Sequence, residues 1–308
     1  MSPDNLHGWF SRTMEPRLRI ASGDTVVYAT RESGWRERPP TDGEPPPARP
    51  PGAGHALSGP VYIEGAEPGD ALEVRIREIV PTHWGVNAHV PGKRAISGLL
   101  GGEPDDMTER YFRRLTIDTA RGVATFAPGI AVPLDPFMGI YATCPDEDGP
   151  VPTAFPGAFG GNMDCKELRA GTTLYLPVFV PGALFSTGDG HAAQGDGEVS
   201  GTAIEAGMDR LVLEFAVRKD LHIARPCAES DTHLLFLAVA EDLDRACQEA
   251  LRDTMAYLVR THGFTRADAY ALCSIAVDFR ITQVVDGPRG VHAMLPKAVF
   301  TDGSATFS

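Results

Sequence analysis

The chain contains no Cys-x-x-Cys pair, no His-Glu-x-x-His and no Gly-x-Ser-x-Gly. The first absence excludes a cysteine-rich zinc knuckle, and the second removes the helical metalloprotease signature. The third leaves any Ser–His–Asp arrangement without the strand-to-helix elbow of the α/β-hydrolases. Positive charge is scarce as well. Lys and Arg number 28 against 41 Asp and Glu, a formal net charge of -13, which argues against nucleic acid or an anionic membrane as partner. No apolar run approaches the length of a membrane span. The opening Met-Ser-Pro-Asp-Asn-Leu-His-Gly-Trp-Phe has no basic region followed by an apolar one, so no secretory signal is expected. The five cysteines are an odd set, and free thiols in a reducing, cytoplasmic compartment are the plain expectation.

The 308 residues suit one large domain or two smaller ones, and 43% hydrophobic composition supplies a core. Glycine at 33 and proline at 26 favour many short strands joined by turns. Leu72, Val74 and Ile76 alternate with Glu73, Arg75 and Arg77, as do Leu211, Leu213, Phe215 and Val217 with their polar neighbours, which predicts half-buried strands. Residues 174–180 read as a strand in which Pro177 marks an edge or bulge, and residues 291–300 read as another edge strand. Residues 81–110 show little period. The stretch from Trp35 to Pro51, crowded with Pro, Arg and Glu, reads as a long surface loop. Helices come late. Glu241–His262 places Leu243, Cys247, Leu251, Met255 and Leu258 on one face and ends at Gly263. Thr265 to Asp268 then opens a second helix in the manner of a capping box. The expected chain is a single intertwined catalytic unit, divisible at about residue 210 into a β-rich part and an α+β part.

Nowhere else are Asn, Asp, His and Glu packed so densely among glycines as between Gly160 and Glu205. Asp164, His191, Asp196 and Glu198 supply the donors a divalent cation needs. Alternatively, Asp196 and Glu198 only satisfy turn amides, as Gly-Asp-Gly sequences do. Asn162 is a candidate donor to a developing oxyanion, or simply an Asx-turn. Cys165 beside Lys166 and Glu167 invites a Cys–Lys–Glu nucleophile reading, but neighbours along a strand point to opposite faces. His55, closing the proline-rich loop, is a candidate substrate contact or a solvent-facing loop histidine. The pair Gly101-Gly102 lacks the strand-to-helix setting of a nucleotide loop, so no nucleotide is expected.

Several phrases resemble one known family in order along the chain. They are Ser22-Gly-Asp-Thr-Val, the run from Gly59-Pro60-Val61-Tyr62 to Pro68-Gly69-Asp70, Gly160-Gly-Asn-Met-Asp164, Gln194-Gly-Asp-Gly-Glu198 with Gly201-Thr-Ala-Ile-Glu205, and Ala276 to Val285. Together they are similar to the acetamidase/formamidase family. The resemblance implies a mainly β, jelly-roll-like β-sandwich with an added α+β portion. It implies hydrolysis of short aliphatic amides to carboxylate and ammonia, a divalent metal (zinc, or else calcium) and a homodimer. Cys165 departs from the small or aliphatic residue usual there. The insertion from Pro39 to Pro51 is longer than the family's, and Gly190 and Ala192-Ala193 vary the approach to Gln194.

The resulting expectation is metal-assisted amide hydrolysis. Asp164, His191 and Asp196 hold the metal, Glu198 is general base and then proton donor, and Asn162 steadies the amide oxygen. Gly160–Asp164 forms one wall and His191–Glu198 the other, with the strand at 174–180 as scaffold between them. The rivals are a non-catalytic jelly-roll binding module and an amidase using Cys165 as nucleophile.

Overall fold

A computed structural model of the chain describes residues 1–2, 5–41, 44, 47–89 and 110–307. Gly101-Gly102, most of the stretch after His89 and four residues of the proline-rich loop lie outside the described residues. The fold is mainly β. Among the described residues are an eight-stranded and a six-stranded sheet, a four-stranded one, and a two-stranded pair. The two C-terminal helices pack beside the eight-stranded sheet. None of the described helices is long and apolar enough to cross a membrane.

The large sheet is held at its centre by Ala71–Pro81 paired antiparallel with Met208–Arg218. The alternation read from the sequence is borne out here. Leu72, Val74, Ile76, Leu211, Leu213 and Phe215 are all within 1% of complete burial. Their polar partners pair across the other face, where Glu214 accepts from Arg75 and Arg77. The sheet draws on both parts of the chain, because Thr173–Pro177 joins Ala71–Pro81 to Cys227–Glu229 and so to His233–Ala240.

Two strand expectations change. Pro177 marks neither an edge nor a bulge. It is the last residue of an interior strand, opposite Ala71, where the chain leaves the ladder and the missing N–H is tolerated. Likewise, Arg289–Pro296 lies between His233–Ala240 and Asp278–Gln283, so Asp278–Gln283 is the edge. The run 81–110, read as nearly featureless, contributes Trp84–His89, paired with Tyr111–Asp118.

The first helix, Leu243–His262, begins at Asp242, whose carboxylate accepts from the Arg245 N–H. It ends at Gly263, whose φ of 68° is the left-handed cap that glycine takes without strain. Its deepest row is Ala246, Ala250, Thr254, Tyr257 and Leu258. Leu243, Cys247, Leu251 and Met255 flank that row, partly buried against the same core. The second helix, Arg266–Ala276, is capped by Thr265, which accepts from the Asp268 N–H.

Candidate active site

The site is built on the six-stranded sheet. Phe137–Ala142 runs between Phe185–His191 on one side and Gly160–Asn162 on the other, with Phe137 opposite His191 and Ile140 opposite Asn162. This strand, rather than the one at 174–180, is the scaffold between the two walls; Thr173–Pro177 belongs to the other large sheet. Every residue of the three strands is buried.

Asp189 and His191 lie two apart on one strand, and Asp164 follows the end of another. All three converge over Gly139. A β-carbon at Gly139 would lie 2.4 Å from Asp164 Oδ1, 2.7 Å from Asp189 Oδ2 and 3.0 Å from His191 Cε1. The Met163 and Asp164 N–H groups both donate to the Gly139 carbonyl, at 3.0 and 3.2 Å, which fixes Asp164 to the strand beneath it. Glu198 enters from a turn in which its N–H donates to the Gly195 carbonyl. Gly197 is tied to the C-terminal part through its N–H to Thr282 and its carbonyl to Val284. Asp164, Asp189 and Glu198 have φ of 49°, 59° and 46°. Non-glycine residues seldom adopt such values, and they concentrate where surrounding structure forces a side chain into a functional position.

His191 stands at the centre. Its Nδ1 is 3.9 Å from Asp164 Oδ1, and its Nε2 is 3.6 Å from Asp189 and 3.4 Å from Glu205. These separations exceed an ordinary hydrogen bond. Both His191 nitrogens and both Asp164 oxygens are buried without a hydrogen-bond partner. Burial acts most strongly on His191 and lowers its pKa, yet Glu205 and Asp189 together carry it well above its ordinary value. Burial, then Glu198, Asp286 and Asp189, pushes Asp164 well above the carboxylate range. Glu198 is raised the same way, by burial first, with His191 opposing. Asp189 moves the other way: burial raises it, but His55 and His191 draw it down on balance.

One imidazole cannot balance the carboxylates gathered here. The ligand atoms of Asp164, His191 and Glu198 lie within 4.8 Å of one another, as do those of Asp189, His191 and Glu205. Orphaned buried acceptors, excess negative charge and an O,O,N donor set together fit a divalent cation.

Asp164, His191 and Glu198 are thus brought together, and Asp196 is not. The turn at Gly195–Gly197 aims Asp196 outward, where it pairs with Lys166 at 3.0 Å and keeps 35% of its side chain exposed. Asn162 is buried, and its amide nitrogen is directed at the Ala154 carbonyl at 3.5 Å. His55 accompanies Thr153, with Nδ1 3.0 Å from its hydroxyl. The Cys165 group is dispersed. The thiol is fully buried and pushed up to about 12 by that burial, while Lys166 pairs with Asp196 and Glu167 with Arg280. A thiol so disposed is no thiolate near neutral pH.

Sequence reasoning missed Asp189, Glu205 and Gly139. The available signal for Asp189 was its place two residues before His191, which on a strand puts both on one face. Gln194 is a further addition. Its amide N–H donates to the Asp164 carbonyl at 2.8 Å, and its Oε1 is buried without a partner. Gln194 and Glu198 line a cleft of about 480 Å³ whose other walls include Phe126, Val132 and Val199.

Comparison with known proteins agrees with this geometry. The sequence profile of the acetamidase/formamidase family matches residues 51–151 and 148–302. A formamidase-like protein of Schizosaccharomyces pombe is 32% identical, over 80% of this chain and 77% of its own length. An acetamidase of Mycolicibacterium smegmatis is 31% identical over 47% of this chain and 49% of its own. The crystal structure of an acetamidase from Bacillus halodurans superposes with a TM-score of 0.88 at 30% identity, covering 97% of both chains. The chain therefore belongs to the acetamidase/formamidase family.

Proposed function

We propose that this protein hydrolyses short aliphatic amides to a carboxylate and ammonia, with a divalent cation held by Asp164, His191 and Glu198. The observation that carries the reading is the convergence of those three side chains, two of them with orphaned buried atoms. Family membership and relatives named for formamidase and acetamidase support the reaction. A cation bound there polarises the amide carbonyl and lowers the pKa of water.

The protein's own groups do the rest. Each carboxylate would give one oxygen to the cation; of the three donors, Glu198 is the one that lines the open cleft, so its second oxygen takes the proton of the attacking water and returns it to the leaving amine. Gln194, fixed by Asp164, offers its Oε1 to the N–H of a primary amide. The cleft suits a neutral substrate, because its acids other than Glu198, Asp135 and Asp196, are already paired with Arg169 and Lys166. Asn162 serves the amide oxygen only if its side chain turns from Ala154, and His55, held by Thr153, is not among the residues that line the cleft.

Zinc is the cation we favour, because an imidazole and two carboxylates are ligands it takes readily. The chain works as one unit, a view supported by the tie between the Glu198 turn and residues 282–284. All five cysteines are free, which suits the cytoplasm. A homodimer is the assembly we favour from the family resemblance; a monomeric mass on sedimentation would end that part of the reading. The deciding experiment is ammonia release from formamide, acetamide and longer amides, with metal analysis on the same preparation. Glu198→Gln should lose roughly 10²–10⁴-fold in turnover. Full turnover in that variant with metal bound, or no ammonia from the wild type, refutes the proposal.

A further inference from the structure

We propose that the base of the proline-rich loop is a positioning device for His191, acting through Glu205. This rests on the cation site just described and assigns a task to Ser33 and Glu205.

The two sides of the imidazole are built differently. On the Nδ1 side, Asp164 offers two oxygens that accept nothing. On the Nε2 side, Glu205 is already engaged: Oε2 accepts from the Ser33 hydroxyl at 2.8 Å and Oε1 from the Ala203 N–H at 2.9 Å. A neutral imidazole that gives one nitrogen to a metal keeps its proton on the other. The unsatisfied side is therefore the cation's side, and the satisfied side receives the Nε2 proton. The Glu205 Oε1, 3.4 Å from Nε2, is the nearer acceptor, with Asp189 at 3.6 Å. Carboxylates behind a metal-bound histidine fix its tautomer and ring plane.

The nearer carboxylate is attended by the start of the loop. Ser33 opens the loop and holds Glu205, and His55 closes it against the Thr153 hydroxyl. The ends are tied to each other by the Ala56 N–H to the Ser33 carbonyl at 3.0 Å and by the Trp35 indole N–H to the Gly54 carbonyl at 2.9 Å. Movement at either end is thereby carried to Ser33 and so to Glu205 behind His191. The Glu205 backbone is paired with Val86 in both directions, and its carboxylate is held at one oxygen by the Ala203 N–H and at the other by Ser33.

The test uses the full chain and Zn²⁺ alone as probe, with affinity measured by chelator competition. Ser33→Ala should weaken Zn²⁺ binding roughly 10-fold, and Glu205→Gln by up to about 100-fold, with the site still filled at saturating Zn²⁺. In Ser33→Ala, kcat for acetamide should fall while KM holds, and the melting temperature of the metal-free protein should change little. Ser33→Thr, which keeps the hydroxyl, should restore both affinity and kcat. Unchanged Zn²⁺ affinity in both Ser33→Ala and Glu205→Gln overturns the inference. So does a Glu205→Gln protein that cannot be filled at any Zn²⁺ concentration, since Glu205 would then be a ligand rather than a support. A wild-type chain that binds no Zn²⁺ overturns the cation site itself, a result distinct from either.

Discussion

Placing a single methyl group at Gly139 tests the site more sharply than removing any ligand. The β-carbon of Gly139→Ala would sit 2.4 Å from Asp164 Oδ1 and 2.7 Å from Asp189 Oδ2, both well inside the 3.0 Å that real β-carbons essentially never cross. The third neighbour, His191 Cε1, is at 3.0 Å. Gly139 is not among the positive-φ glycines, so alanine suits its backbone and the whole effect is steric. None of the three neighbours has room to swing away, as Asp164 and His191 are each 1% exposed and Asp189 4%. The Asp164 backbone is also tied by its N–H to the Gly139 carbonyl, so the residue can yield only by turning its side chain within the packed site. Overpacking of this kind costs about 1–3 kcal/mol. The effect on the cation is larger, because donor distances in a metal site tolerate only about 0.2 Å. We expect Gly139→Ala to fold with a modestly lowered Tm and to lose at least ~10²-fold in Zn²⁺ affinity, with turnover falling in step. The control is Gly195→Ala, in the same motif region, where a β-carbon meets nothing within 4 Å; it should bind Zn²⁺ normally. Equal Zn²⁺ affinity in both variants, measured by chelator competition, would refute the convergence over Gly139.

Three other outcomes are expected. His7 and His292 are buried and their pKa values are lowered to about 4, in each case chiefly by burial; the unfolded chain therefore takes up protons first, and stability present above pH 6.5 should drain away as pH falls toward 4. The slope is about 1.4 kcal/mol per pH unit for each histidine, so a His7→Asn/His292→Asn variant should show a flatter Tm between pH 7 and 5, and an unchanged slope would contradict the assignment. Asp196→Asn should keep metal content and turnover near wild type, whereas Asp164→Asn should lose the metal; if elemental analysis finds the reverse, Asp196 is the ligand after all. Cys165→Ala should retain amide turnover while losing about 1–3 kcal/mol to the cavity left by a fully buried side chain, and abolished turnover in a folded protein would restore the nucleophile reading.

The strands and helices were legible because their signals are local. Alternation at 72–77 and 211–217 reports a half-buried sheet whatever its partners are, and Gly263 reports a helix end by its own backbone freedom. Partnership is not local, and both mistaken edge strands came from it. Nothing in Leu174 to Pro177 says that Ala71–Pro81 will lie beside it, so the proline read as an edge when it only ends an interior strand.

The site divides along the same line. Asp164, His191 and Glu198 stood out because acids and a histidine among glycines are visible as composition. Choosing between Asp196 and Glu198 required backbone geometry: the residue with φ of 46° turns inward, and its neighbour two positions earlier turns out to Lys166. No composition carries that information. Asp189 was hidden for the opposite reason. Gly188-Asp189-Gly190 reads as a turn, yet it lies on a fully buried strand. There the glycines are demanded by packing, since a β-carbon at Gly188 would meet the Ala56 carbonyl at 2.5 Å and one at Gly190 the Ala206 carbonyl at 2.6 Å. Glycines that look like flexibility are thus what lets neighbouring chain close on one face of this strand while Asp189 and His191 present their charges on the other. The same logic accounts for Gly139, where a missing side chain is the space that three ionisable groups occupy. In this fold the acids mark the site, and the glycines determine which acids can meet.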